Sequence, residues 1–310
     1  MDRTEAIRRK DRVIRRNMFC YSLFRASPVL LQPAVYDEGR YHEPEALAPE
    51  PETGFTAESP LKGAGLSDDF MKAYTALQNL TAMTEISGGG EDTFLILSNT
   101  ATHDVTLLQE PAFGPAPSVD NTAYEAAHRV RGASFGRPME LRTLAQMEHY
   151  QCDTAAFLQL GRWFDFLREN GVWDNTRIIL VSDHGYDLEL NHILTGGGEE
   201  RNVLAPYDGI MAYNPLMLIK DFGSGGDFRS DPSFMTIADT PSEAMRGLIE
   251  NPVNPFTGNP VTAEAKNDPE QYVMLTDWRI AENHGNRFSD PVRLTLRGHD
   301  VFDESSWEIP

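Results

Sequence analysis

The sequence predicts an α/β protein in which a mostly parallel sheet is flanked by helices. Three observations predict it. The run Ile178-Ile-Leu-Val181 is continuously apolar, rich in β-branched residues and bounded by polar turns, the pattern of a strand covered on both faces. Two further runs, Thr93-Phe-Leu-Ile-Leu97 and Leu216-Met-Leu-Ile219, repeat that pattern. A stretch of helical periodicity over 140–170 feeds the first run through the short loop 172–176, as a helix-to-strand step of a doubly wound sheet does. Strands are therefore expected near 93–98, 177–182 and 215–219.

At 310 residues the chain is long enough to bury a substantial core. Its formal net charge of -20 argues against a nucleic-acid partner, because phosphate backbones are bound by Lys and Arg surfaces, and suits a cation-binding site better. No stretch approaches the roughly eighteen consecutive apolar residues that cross a bilayer, and the arginine-rich start lacks the apolar core of a secretory signal, so the chain reads as soluble. Cys20 and Cys152 lie far apart outside any CxxC spacing, which indicates packing residues and neither a disulfide framework nor a cysteine zinc site.

Residues 1–60 read as a basic amino-terminal helix followed by a Pro/Glu-rich linker. Arg3, Arg8, Arg9, Lys10, Arg12, Arg15, Arg16 and Arg25 outnumber Asp2, Glu5 and Asp11, while Ile7, Ile14 and Met18 recur at helical spacing. Such a helix suits either an anionic lipid surface or packing against the acidic remainder. From Pro44 to Pro60 the prolines prevent regular pairing.

The α/β domain is expected over 61–260. Ser67 before Asp68 and Asp69 is a good helix start, with Phe70, Tyr74, Leu77 and Leu80 marking the buried face. Residues 111–138, rich in Pro, Gly, Ser and Asn, read as a long surface excursion of the kind that lids a site. Within it Gly132-Ala-Ser134-Phe-Gly136 matches the G-x-S-x-G nucleophile elbow, and a serine hydrolase would order Ser134, Asp183 and His184 or His192 along the chain. The elbow needs a buried strand before it, and Tyr124 to Arg131 is too polar to supply one, so chance is the preferred explanation. In the long helix Phe157, Leu160, Phe164 and Leu167 mark one face, and Asn170-Gly171 ends it.

The glycines at 196–198 form a flexible loop and not a phosphate-binding loop, since no lysine follows in the required place. Thr240-Pro-Ser-Glu243 reads as a capping box opening a helix that runs to Glu250 and stops at Asn251-Pro252. Residues 261–310 form an extension with short strands such as Tyr272-Val-Met-Leu275, a small antiparallel edge or subdomain.

Asp183 and His184 sit just past the carboxyl end of the 177–182 strand, where open α/β sheets bind ligands, and a hard oxygen beside a borderline nitrogen suits zinc or manganese. A satisfied strand-end turn explains the dipeptide equally well. His103, in Asn99-Thr-Ala-Thr-His103-Asp104, occupies the same level past the 93–98 strand, as a site residue or as a hydrogen-bonded surface imidazole.

Val181-Ser-Asp-His-Gly-Tyr186, with Gly171 to Leu180 before it, resembles the second metal-binding motif of the sulfatase and alkaline-phosphatase superfamily. The strand ending in Asn99 to His103 is similar to the segment carrying a substrate-side histidine in the branch of lipoteichoic-acid synthases and phosphoethanolamine transferases. Phe234-Met-Thr-Ile-Ala-Asp-Thr-Pro241 resembles the family's Asp-x-x-Pro-Thr element, with the Asp-to-Pro spacing one residue shorter and Ser242 in place of the Thr. With Tyr213 to Ile219 and Asn251 to Thr257, roughly residues 65–260 look like the carboxyl-terminal half of a bacterial membrane-anchored sulfatase-like protein.

The resemblance implies a metal-dependent hydrolase or transferase of sulfuryl or phosphoryl groups, acting on an anionic sulfate or phosphate ester. Asp183 and His184 would be ligands of a divalent metal ion (Zn, Mn, Ca or Mg), and His103 would bind the substrate. The family's amino-terminal strand, with an acidic ligand and a Thr, Ser or Cys nucleophile, has no counterpart here. Neither Cys20-Tyr-Ser-Leu-Phe-Arg25 nor Cys152-Asp-Thr-Ala-Ala156 matches the sulfatase signature Cys-x-Pro-Ser-Arg. The chain is thus expected to be a partial domain completed by an upstream, membrane-anchored half at the extracytoplasmic face. The alternative is a catalytically silent remnant or binding module of the same fold.

Overall fold

The computed structural model describes residues 3–36, 62–88, 90, 92–134, 137–186, 188, 210–275 and 290–308. In chain order the elements are α1 (Arg3–Ala26), α2 (Gln32–Tyr36), β1 (Lys62–Gly65), α3 (Asp68–Gln78), α4 (Leu80–Met83), β2 (Ala116–Asp120), α5 (Thr122–His128), β3 (Val130–Ser134) and β4 (Arg137–Glu140). There follow α6 (Leu144–Glu169), β5 (Ile178–Val181), β6 (Met217–Lys220), α7 (Thr240–Met245), β7 (Glu270–Leu275), β8 (Val292–Arg297) and β9 (Trp307–Glu308). The chain is mixed α and β. Among the described residues no helix is long and apolar enough to cross a membrane.

The expected parallel sheet is corrected. The described strands form small antiparallel sheets: β1 with β2, β3 with β4, β5 with β6, and β7-β8-β9. β6 returns alongside β5 in the opposite direction, from Ile178 opposite Lys220 to Val181 opposite Met217. A continuous apolar run reports covered faces; it carries no information on the direction of its neighbour. The expected strand at 93–98 is corrected more deeply. A strand exists only where a neighbour completes its ladder, and among the described strands none lies beside these residues, so Phe94 to Leu97 are exposed and unpaired.

Two compact units divide the chain. The first comprises Met1–Phe55, Glu270–Gly298 and Ser305–Pro310 and holds α1, α2 and the sheet β7-β8-β9, the antiparallel tail that the sequence predicts. Leu294 and Leu296 are buried on one side of its central strand and Thr295 on the other. The second comprises Thr56–Pro269 and His299–Glu304 and contains all three sequence-predicted site residues.

The second unit is built on α6. Thr143 caps it: the backbone N–H of Gln146 donates to Thr143 Oγ1 at 3.2 Å, and the N–H of Thr143 donates to Gln146 Oε1 at 3.2 Å. Asn170 ends it, with Gly171 in the left-handed region at φ +69°. Its buried residues include Met147, Gln151, Cys152, Ala155, Ala156, Gln159 and Leu167. The expected face through Phe157 is therefore rotated, and Phe157 itself is exposed. Small and amide side chains define the true face, which a count of large apolar residues passes over.

Against Cys152, Ala155 and Ala156 pack Phe70, Ala73, Tyr74, Leu77 and Leu80 of α3 and α4, the face expected from the sequence. Each fully buried large apolar side chain there contributes about 1.5–3 kcal/mol. Polar pegs set the register: Gln159 Nε2 donates to Tyr74 Oη at 3.2 Å, and Trp163 Nε1 donates to Thr84 Oγ1 at 2.9 Å. Ser67 caps α3 as predicted, accepting from the N–H of Phe70 at 3.5 Å.

The segment 111–138 is more ordered than a lid. It contributes β2, α5 and β3, and a buried ionic cluster fixes it. The Arg131 guanidinium pairs with Glu110 at 2.7 Å and with Glu125, all three side chains being buried, beneath the rings of Tyr124 and Tyr150. Ser134 ends β3 and leads to an antiparallel partner, so the strand-to-helix turn of a nucleophile elbow does not follow it. The linker over Pro44 to Pro60, His192 and the glycines at 196–198 lie outside the described residues.

Candidate metal centre

The turn that carries Asp183 and His184 is fixed from its backbone. Lys220 and Arg168 enclose the Trp173 ring at 4.5 and 3.9 Å, and Arg177 pairs with Asp221 at 2.8 Å, which holds the start of β5 against β6. At the other end the N–H of Ser182 donates to Leu216 O at 3.1 Å, and the N–H of Leu216 donates to Ser182 Oγ at 2.7 Å. The N–H of Gly185 then donates to Ala212 O at 2.9 Å. A Cβ on Gly185 would stand 1.9 Å from Met211 O, so only glycine allows this approach of two backbones.

On that frame both side chains point outward. Asp183 Oδ1 accepts from the N–H of His184 at 3.1 Å. His184 Nδ1 lies 2.7 Å from Gly185 O; since a carbonyl only accepts, Nδ1 carries the proton and the lone pair is on Nε2. Nε2 is 3.9 Å from Asp183 Oδ2. Two ligands each about 2.0–2.2 Å from one tetrahedral ion stand roughly 3.4 Å apart, so a small side-chain rotation lets this pair share a cation. The pair supplies two donors, and among the described residues no group of three or more His, Cys, Asp or Glu could hold a metal ion.

His103 lies on the turn after Asn99, exposed, with Nδ1 3.2 Å from Asp104 Oδ1. Asn99 fixes that turn by donating from Nδ2 to Ala73 O at 2.9 Å and accepting from the N–H of Ala101 at 3.0 Å. Asp69, Lys72, Ser98, Asn99, Thr100 and Asp104 line a cleft of about 340 Å³ next to it. The sequence places His103 and the Asp183–His184 pair at the ends of neighbouring parallel strands. In the structure α6 is what they have in common.

Along one side of α6, Cys152 Sγ donates to Thr106 O at 3.2 Å and Gln151 Oε1 accepts from the N–H of Leu108 at 2.7 Å, which holds the chain beyond His103. At its start Gln146 Nε2 donates to Leu188 O at 2.6 Å, which holds the chain beyond the Asp-His turn. Between these contacts the His149 ring lies 4.6 Å from the ring of Tyr186. Burial, and secondarily the neighbouring His103, lower the pKa of His149 below its ordinary value of 6.5. It is thereby kept neutral, as a metal ligand or proton acceptor must be.

Three α6 residues absent from the sequence-level site follow from this geometry: Glu148, His149 and Asp153. Burial alone pushes the carboxyl of Glu148 up to about 7 and that of Asp153 up to about 6. A carboxyl that titrates near neutrality suits general acid–base work. Cys152 is pushed up to about 12, mainly by burial with Asp153 and Glu148 adding, so it is a packing thiol as its isolation in the sequence implies. The signal in the sequence was faint: Glu148 and His149 are titratable residues on the polar flank of a helix, with no motif to mark them. No family model, no curated protein and no solved structure matches the chain.

Proposed function

We propose that this chain is the metal-binding part of a sulfatase-like hydrolase or transferase of sulfuryl or phosphoryl groups. What supports it is the outward Asp183–His184 pair, with the His184 lone pair on Nε2 and the turn held by a glycine that no other residue can replace. A hard carboxylate and a borderline imidazole fit a divalent ion such as Zn, Mn, Ca or Mg. When bound, the ion supplies charge neutralisation at the transferred oxygens and activates a hydroxyl nucleophile.

The residues of this chain do the remainder. Asp183 and His184 hold the ion from one side, Gly185 O fixes the imidazole proton on Nδ1, and His103 donates a hydrogen bond to the anionic sulfate or phosphate ester. Glu148 takes up or releases a proton near neutral pH at its carboxyl oxygen. Two ligands fall short of the three or more that metal centres use, so the nucleophile and the further ligands come from an upstream, membrane-anchored half at the extracytoplasmic face. The second reading, a silent remnant or binding module of the same fold, is favoured by the shortage of ligands.

The two are separated by assaying nitrophenyl sulfate and nitrophenyl phosphate hydrolysis with the chain alone and with the polypeptide encoded directly upstream. The enzyme reading expects no turnover alone and metal-dependent turnover after addition, lost in Asp183→Ala. No turnover in the mixture selects the silent remnant.

A further inference from the structure

We propose that Thr93 to Leu97 is a docking strand that accepts a β-strand from a second polypeptide, with the free edge of β5 as the companion surface. Phe94, Leu95, Ile96 and Leu97 are 77%, 66%, 79% and 50% exposed. Successive side chains of an extended chain point to opposite faces, so both faces of this run are bare. Its main chain is bare as well: within the described structure no N–H or C=O of 93–98 makes a hydrogen bond. Four consecutive large apolar residues with an unsatisfied ladder are complementary to a strand on the edge and to apolar cover on the faces.

The amount of surface points the same way. Four large side chains at these exposures leave roughly 500 Å² of apolar area in one run, near the upper end of what isolated soluble proteins show. β5 pairs with β6 on one edge and, among the described strands, with nothing on the other, while Val181, Leu216 and Ile219 near that ladder are also exposed. Together the two apolar surfaces approach the roughly 800 Å² per partner of a stable complex.

A second copy of this chain is the weaker occupant. Symmetric pairing of two Thr93 to Leu97 runs gives each one neighbour and leaves the faces uncovered, and each copy carries a net charge of -20 that opposes association. The partner is therefore a different polypeptide that brings at least one apolar strand together with its own covering elements. Since the run leads straight into Asn99 to His103, a strand laid beside it ends next to His103 and delivers residues to that side of α6. This deepens the proposal of an incomplete site and rests on it for the partner's identity; the docking itself rests on the bare run.

The test is amide hydrogen exchange on the full chain, alone and with the upstream-encoded polypeptide, and it uses no activity readout. Alone, 93–98 is expected to exchange as an unprotected segment. In the mixture both 93–98 and 178–181 are expected to slow at least about a hundredfold, and Ile96→Lys to remove that protection while leaving the melting temperature of the free chain unchanged. Slow exchange at 93–98 in the free chain, or unfolding of free Ile96→Lys, would show the run already covered and overturn the proposal. Protection that rises with the concentration of the chain alone would make a second copy the occupant and overturn it too. Failure of docking with intact metal binding by Asp183 and His184 would separate this inference from the functional one.

Discussion

Gly185 and Met211 approach so closely that a single methyl group on Gly185 would lie 1.9 Å from the Met211 carbonyl oxygen. The obstructing atom is main chain and cannot rotate away. Gly185→Ala is therefore expected to cost about 3 kcal/mol and to displace His184 from Gly185 O. Chemical denaturation reads the cost; an unchanged midpoint would remove the steric basis for the glycine.

Arg131 is the one cation of a buried cluster with Glu110 and Glu125. Burial raises the carboxyl of Glu125 even with the guanidinium beside it. Replacing Arg131 by Met leaves two uncompensated acids and is expected to cost about 3–5 kcal/mol at neutral pH. The loss shrinks in acid, where the acids become neutral, and in the double variant Arg131→Met, Glu125→Gln. Simple additivity of the two single variants would contradict the coupling.

Glu148 gives a pH dependence of definite sign. Its folded value, about 7, lies above its ordinary 4.5, so the native state binds more protons. Stability from this group is full below pH 4.5 and is lost as pH rises through about 7. Allowing for its partial exposure, Glu148→Gln should recover about 2 kcal/mol at pH 8 and little at pH 4. His149 acts in the opposite sense: its lowered value makes its contribution full above 6.5 and lost on acidification. Denaturation midpoints of wild type and Glu148→Gln across this range decide the point; parallel curves would count against a buried Glu148.

Thr240 corrects the sequence at a helix start. The N–H of Thr236 donates to Asp239 Oδ2 at 2.8 Å, and the buried Asp239 precedes α7 as its cap residue, while α7 ends at Met245 well before Glu250. Thr240 Oγ1 is buried with no hydrogen-bond partner. Thr240→Val should thus be neutral or stabilising, and Asp239→Ala destabilising by about 1 kcal/mol or more. A loss of stability in Thr240→Val would restore Thr240 as the cap.

Local chemistry was legible in the sequence where one residue decides the outcome. Ser67 caps α3, Asn170-Gly171 ends α6, and Asp183-His184-Gly185 follows a strand, each because a hydroxyl, a left-handed glycine or a strand end acts within a few residues. Two overlapping boxes, Thr236 with Asp239 and Thr240 with Glu243, offered the same local signal, and burial of Asp239 chose between them. Strand direction and partner were not legible, because apolar content at 93–97 and 178–181 says what a strand must be covered by and not where its neighbour comes from. Glu148 and His149 were hidden because their meaning depends on what packs against α6.

The central claim is that Asp183 and His184 form one side of a metal site. Calorimetric titration of the purified chain with zinc tests it most directly. The expected result is one weak site, with Kd above about 1 μM as two ligands allow, lost in Asp183→Ala and in His184→Ala. Binding that is unchanged in both variants, or sub-micromolar binding accompanied by ester hydrolysis in the chain alone, would contradict it.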